Sequence, residues 1–362
     1  MVIKLKALFF ILISGLLVST LSWGAEVYEF YHGTRAMAMG NAFVAVADDE
    51  QAVFLNPAGL AGIKNTEFTL LTADLISSYD IVLSALSGYS AISGITGKEG
   101  ADLSDVVMGK NIYGRAQLTS TLVMPYFGLG FIVDSQVGLS SVNRVLPKIN
   151  LGYMTTNGVQ ASFGAPIWKN FRKKGELRIG IGGKYLFRRG GFRTLKTVET
   201  VNLTRAKLSQ ITGPYGTGIG VDVGSQYYFR ASNHLSFSLG CVYTDIGDTN
   251  FGAKPMPIKG NLATGGMVKY TLGKSAVSFS YDYKHILEKT DWRKKNHFGL
   301  EVSLPMVKLW GGINQVFVTY GAAVDLWLFK VSGISYAVEH GSFVHINPER
   351  RYEAQIVTTF EL

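Results

Sequence analysis

Six histidines, one cysteine and a few acidic or glycine-rich clusters are the groups in this sequence with chemistry to offer. His32, His234, His285, His297, His340 and His345 include no pair four apart, so no helical metal motif exists, and they read as surface or rim residues. Cys241 stands alone, which excludes a disulfide framework and any multi-thiolate metal centre. Asp48-Asp49-Glu50 are adjacent where a calcium loop needs alternating ligands, so they read as the solvated start of a helix. Gly273-Lys274-Ser275 lacks the glycine five positions earlier that a phosphate-cradling loop requires and reads as a tight turn. Gly216-Thr217-Gly218-Ile219-Gly220 opens a strand instead of a strand-to-helix turn, and no Gly-x-Ser-x-Gly elbow is present. These residues supply no catalytic group, no metal site and no cofactor site, and the expectation is a protein that is not an enzyme.

The elements that would position any other site are strands. The chain has 362 residues, 47% hydrophobic and only 17% charged, with 42 glycines against 9 prolines. That profile excludes disorder and collagen. The net charge of +9 is scattered and not gathered beside a reader module, so nucleic acid is not an expected partner. Lys4 and Lys6, the apolar run Ala7 to Val18 and the small residues Ser22-Trp23-Gly24 predict a secretory signal over residues 1–24. Downstream, no stretch of the length a membrane helix needs is free of charge; even Val316 to Val338 contains Asp325 and Lys330. Alternation replaces it. Val277, Phe279, Tyr281 and Tyr283 share one face while Ser278, Ser280, Asp282 and Lys284 share the other. The same period runs through Ile219 to Gly224, Leu235 to Gly240 and Phe298 to Leu304. A soluble β-sandwich and a membrane barrel both alternate in this way; the signal segment, the aromatics at strand ends and the glycine excess favour the barrel.

Strands are predicted near 66–76, 115–125, 126–136, 150–167, 176–188, 217–229, 234–245, 259–272, 275–286, 296–304, 306–314, 316–326, 327–338 and 351–362, with 77–114 irregular. The fold class is therefore all-β, an antiparallel transmembrane barrel of about fourteen strands over residues 63–362. Connections alternate between long (189–216, 246–258, 287–295, 339–350) and tight (230–233, 273–274, 305), so the long set faces outward, with a short exception at Asn314-Gln315. The closing segment places Tyr352, Ala354, Ile356, Phe360 and Leu362 on one face, a pattern similar to the terminal strand read by bacterial outer-membrane assembly machinery.

The most specific motif is N-terminal. Gly33 to Asp49 is small-sided, with glycines at 33 and 40, and leads through Ala52-Val53-Phe54-Leu55 into Asn56-Pro57-Ala58, a turn-forming sequence. It is too small-sided for a lipid-facing strand and too apolar for a solvent loop, which suits packing inside a barrel. This block of about 30 residues resembles the start of the FadL-type outer-membrane transporter superfamily and its PorV-like branches. Thr244-Asp245-Ile246-Gly247-Asp248-Thr249 and His297-Phe298-Gly299-Leu300-Glu301 resemble recurring pieces of the latter. The resemblance implies an N-terminal hatch, residues 25–62, carrying the Asn56, Pro57 and Ala58 motif inside the barrel.

It further implies a bacterial outer-membrane location and passive uptake of a hydrophobic small molecule, a long-chain fatty acid or similar. Arg35 would meet a ligand carboxylate, and Met37 and Met39 its apolar tail. The alternative is a PorV-like barrel that holds a secreted protein partner. Arg188, Arg189, Arg193, Lys196, Lys254, Lys259, Arg293-Lys294-Lys295 and Arg350-Arg351 fall in or beside the outer connections, where they are expected to contact outer-membrane lipid and lipopolysaccharide phosphates. Arg172-Lys173-Lys174 falls on the inner side.

Overall fold

The computed structural model describes residues 29–86, 111–142, 148–171, 175–195, 213, 215–252, 255–341 and 343–361. The expected signal 1–24, the basic run 172–174, Lys196, Lys254 and Leu362 lie outside the described residues.

The chain forms β1 (Glu67–Ser78), β2 (Asn111–Met124), β3 (Phe127–Val142), β4 (Lys148–Phe171), β5 (Gly175–Leu195), β6 (Gly216–Arg230) and β7 (Leu235–Thr244). It continues through β8 (Asn261–Leu272), β9 (Ser275–Tyr283), β10 (Asn296–Ser303), β11 (Val307–Asn314), β12 (Phe317–Asp325), β13 (Lys330–Glu339) and β14 (Pro348–Glu361). Every neighbour pairs antiparallel, and β1 closes on β14 with Phe68 opposite Phe360, so the fourteen strands make a closed barrel with no free edge. Closure lets the strands satisfy nearly all their backbone groups from their neighbours, the condition for crossing a bilayer.

Burial decides which face is which. Ile219, Val221 and Val223 on β6, and Val277 and Phe279 on β9, are exposed, whereas Asp222, Ser278, Ser280 and Asp282 between them are buried. A soluble sandwich would bury the apolar set; here it faces out, as in a barrel bathed in lipid. The segment expected to be irregular differs in part: it begins with helix α3 (Tyr79–Leu86), and β2 starts at Asn111. The short connection at Gln315 and Val316 is a two-residue hairpin turn with both residues at positive φ, 52° and 76°. That geometry matches the twist of the flanking strands.

Pairing between β12 and β13 runs only from Asp325↔Lys330 to Tyr320↔Ser335. Beyond it the strands part. Arg350 donates to the Val318 carbonyl at 3.0 Å and Asn314 Nδ2 to the Ala337 carbonyl at 3.3 Å, so side chains bridge the wedge where ladder bonds stop.

Residues 29–62 carry two short helices, α1 (Thr34–Ala38) and α2 (Ala52–Leu55), followed by a 3-10 helix, Pro57–Gly62. Polar side chains from strands around the ring satisfy this segment's backbone. Asp282 Oδ2 on β9 accepts from the Phe43 and Val44 amides at 2.6 and 2.8 Å. Gln117 on β2 donates to the His32 carbonyl at 2.7 Å, Gln160 on β4 to Val53 at 2.8 Å, Gln226 on β6 to Ala45 at 2.8 Å and Thr319 on β12 to Ala38 at 3.0 Å. Because those strands surround a closed ring, residues 29–62 occupy its interior. Without such partners the irregular backbone would bury unpaired amides and carbonyls, each at a cost of about 1–3 kcal/mol.

Candidate functional site: the luminal segment and the outer cavity

Arg35, on the single-turn helix α1, is buried and points at the wall. Its Nε and Nη2 donate to Glu301 of β10 at 2.6 and 2.9 Å, and its Nη1 to Asp48 and Asp49 at 2.7 and 2.8 Å. Trp310 Nε1 adds a 2.8 Å bond to the same Glu301 carboxylate. A fork-to-fork pair fixes both distance and plane. The guanidinium expected to meet a ligand carboxylate thus holds three carboxylates of the protein itself. Two members of the acidic run, Asp48 and Asp49, are its partners; the run also leads into α2 as expected, Asp49 accepting from the Gln51 and Ala52 amides. Met37 and Met39 are buried in the cluster formed by the luminal segment and the wall, beside Phe43 and Trp310.

Asn56, Pro57 and Ala58 are fully shielded and form one unit. The Asn56 side chain accepts from the Ala58 amide at 3.2 Å, capping the 3-10 helix, and donates to the Val44 carbonyl at 2.8 Å. Pro57 occupies the first helical position, where its missing N–H costs nothing. The wall is bare beneath this unit. Gly164 on β4 lies opposite Gly180 on β5, and Gly180 opposite Gly224 on β6. A Cβ at Gly164 would overlap the Pro57 carbonyl, at Gly180 the Pro57–Ala58 peptide and at Gly224 the Asn56 side chain. Three glycines across three strands therefore make the seat for this turn.

A second buried knot lies between α1, β1 and β14. Thr34 Oγ1 contacts Glu353 and donates to Asp74 at 2.9 Å, His32 Nε2 meets Glu353 at 2.6 Å, and Gln355 donates to Asp74 at 2.7 Å. His32, His285 and His297 are buried in the interior, correcting the reading of all six histidines as surface or rim residues; His234 and His345 are exposed. His297 Nδ1 sits 2.9 Å from the Gly40 carbonyl. Among the described residues no group of three or more His, Cys, Asp or Glu is arranged to hold a metal ion.

The cations assigned to lipid divide. Arg188 is fully buried, bonded to Thr156 at 2.9 Å and to the Met256 carbonyl at 3.1 Å. Lys294 donates to the Glu339 and Gly341 carbonyls, and Lys295 to those of Ile286 and Glu288. Arg351 is paired with Glu349 at 2.8 Å. These four face inward or fasten outer connections together, so phosphate contact is corrected for them, while Lys259 and Arg293 remain on the surface, bonded to Asp248 and Asp291.

Above the luminal segment, at the outer mouth, lies a cavity of about 340 Å³. Tyr113, Gln136 and Met154 contribute from the outer ends of β2, β3 and β4, and Glu349 and Arg351 from β14. Met256, His340 and Asn347 reach in from outer connections. The size suits one small ligand, and the lining is mainly apolar with a few polar groups. Arg351 lies over the Tyr113 ring at 3.4 Å. Tyr113 Oη donates to Gln136 Oε1 at 3.0 Å, and His340 Nε2 meets Glu349 at 2.6 Å. His340 and Arg351 carry other readings in the sequence, but Tyr113, Gln136, Met154 and Glu349 do not stand out there, because they come from different strands with no shared spacing.

Fold and interior together define a fourteen-stranded barrel whose lumen is occupied by its own N-terminal segment. No family model matches the chain, and no curated protein matches its sequence. Among solved structures it is similar to the toluene transporter TbuX of Ralstonia pickettii, at 12% identity and TM-score 0.48, covering 91% of this chain and 98% of that one. It is also similar to the toluene transporter TodX of Pseudomonas putida, at 10% identity and TM-score 0.45 over 93% and 99% of the two chains. The monoaromatic hydrocarbon channel CymD gives 11% identity and TM-score 0.40 over 95% and 99%. At such scores no residue role or ligand passes from them to this chain.

Proposed function

We propose that this protein is a FadL-type bacterial outer-membrane channel for passive entry of a hydrophobic small molecule, with residues 29–62 acting as a hatch. The observation that carries the reading is a ligand-sized cavity at the outer ends of β2, β3, β4 and β14, in a barrel whose luminal segment is bonded to the wall through discrete polar contacts. A ligand settling in the cavity rests against the Tyr113 ring, and its onward path requires the hatch to shift. Such a shift exchanges wall bonds such as Asp282 to Phe43 for bonds to water, which polar luminal side chains tolerate. A ligand cavity has no task in an adaptor that holds a secreted protein by its outer loops, so uptake is preferred over the PorV-like alternative.

Cavity filling tests the reading. Gly138→Trp fills the space from β3, where an added Cβ meets nothing nearer than the Tyr113 ring at 3.8 Å. Cells producing this variant at normal outer-membrane levels should take up a labelled fatty acid or monoaromatic several-fold more slowly than cells with the parent. Equal uptake of every compound tried would remove the cavity from the pathway.

A further inference from the structure

The tight connections at the inner end of the barrel are of two kinds. Between β6 and β7, and between β8 and β9, they are polar and exposed, as at Ser232, Asn233 and Lys274. Between β10 and β11 the turn exposes Leu304 and Met306, and between β12 and β13 it exposes Leu326, Trp327, Leu328 and Phe329. These two apolar turns touch, the Asp325 amide donating to the Met306 carbonyl at 2.9 Å. Trp327 is 90% exposed and held at a φ of 67°, a region where a bulky side chain is strained and glycine or asparagine is at ease. A contiguous apolar patch of this kind marks a surface that something covers.

Strand length and register point to the cover. β10, β11 and β12 have eight, eight and nine residues. Tilted by about 40°, such strands reach roughly 20–23 Å along the barrel axis, short of an apolar band of about 25 Å. Lys330, the first residue of β13, pairs with Val357, so β14 runs on past it from Thr358 to Glu361 and the β12–β13 turn is set back from its neighbour. Exposed Tyr320 and Val324 form the outward column of β12, and by alternation Leu326 continues it. The patch is therefore continuous with the lipid-facing wall on the side where that wall is shortest.

We propose that the turns Leu304–Met306 and Leu326–Phe329 are immersed in the inner leaflet, where they anchor the short-stranded side of the barrel in phospholipid. Trp327 lies at the boundary of acyl chains and headgroups, the depth that indole rings favour. The apolar turns supply the length that the strands lack, which relieves hydrophobic mismatch. The polar turns at Ser232 and Lys274 stand in water. This concerns how the barrel sits in its bilayer and is independent of the uptake reading.

Depth-dependent quenching in lipid nanodiscs tests it on the full chain. In a Cys241→Ser background, a single cysteine is placed by Trp327→Cys, Ser232→Cys or Lys274→Cys and labelled with bimane. Phospholipid carrying a nitroxide near the headgroup should quench the label at 327 several-fold more than those at 232 and 274, and iodide in the water should do the reverse. Trp327→Phe, which keeps the turn apolar, should remove a tryptophan emission component that the nitroxide lipid quenches and iodide does not, so the test stands even if a cysteine at 327 unsettles the turn. Iodide reaching position 327 as readily as 232 would overturn the proposal. So would shielding from iodide that is present in native membranes and lost in nanodiscs of the purified protein, since the cover would then be a protein partner.

Discussion

At the scale of single residues, the interior is organised by charges that find their partners across the whole chain. Arg35 and Glu301 are 266 positions apart, yet two hydrogen bonds join them across the luminal segment and the wall. Replacing Arg35 by leucine leaves Glu301 shielded without its cation, which costs about 3–5 kcal/mol in comparable pairs. The R35L variant should show frequent conductance bursts in planar bilayers, and the R35L/E301L double variant fewer of them; identical quiet traces from all three proteins would show that the pair does not hold the segment. Gly180→Leu places a side chain where the Pro57–Ala58 peptide now lies and should loosen the same segment from its other end. Asp248, in the outer connection after β7, adds a pH dependence. The Lys259 hydrogen bond and the Gly260 amide hold its carboxyl below the usual range. A depressed value means that its contribution is present above the ordinary aspartate pKa, about 3.9, and is lost as pH falls through the folded one. Limited proteolysis within 245–260 should accelerate in acid, and Asp248→Asn should bring that sensitivity to neutral pH.

At the scale of elements, period-two alternation made the strands legible, because small or ionisable residues on one face and bulky apolar ones on the other recur whatever the loops do. All fourteen predicted strands occur, with β4 and β5 extending further at both ends than expected; in β5, Gly190, Gly191 and Thr194 blur the alternation. What alternation left open was which face looked inward, and burial of Asp222 and Asp282 against exposure of Val221 and Phe279 answers it. The partners of Arg35 and the lining of the outer cavity were not legible, because strand pairing brings together residues that share no spacing in the chain. The identity of the seat beneath Pro57 had a signal, three strands each carrying glycine, but only the register Gly164↔Gly180↔Gly224 turns it into a site. Two outcomes check the strand assignment. Cysteine labels at 250 and 289 should react on intact cells, and labels at 232 and 274 only after permeabilisation. Truncation before Phe360 removes its pairing with Phe68 at the barrel seam and should lower the yield of heat-modifiable protein in the outer membrane; undiminished yield would place closure elsewhere.

At the scale of the whole molecule, wall and luminal segment play separable parts. Apart from the β12–β13 wedge, the strands satisfy their backbone groups from their neighbours, so the ring draws few of its hydrogen bonds, such as that from the Tyr126 amide to the Leu60 carbonyl, from residues 29–62. The acids and amides that now hold the segment, Asp74, Gln117, Asp222, Asp282 and Glu301 among them, would stand in a water-filled lumen once it is gone, where their hydration is favourable. The most direct measurement is single-channel conductance in planar bilayers of a variant lacking residues 29–62, beside the full chain. A stable open pore with conductance many times that of the parent is the predicted result. A variant that inserts as a heat-modifiable barrel yet conducts no more than the full chain would contradict the claim that this segment closes the channel.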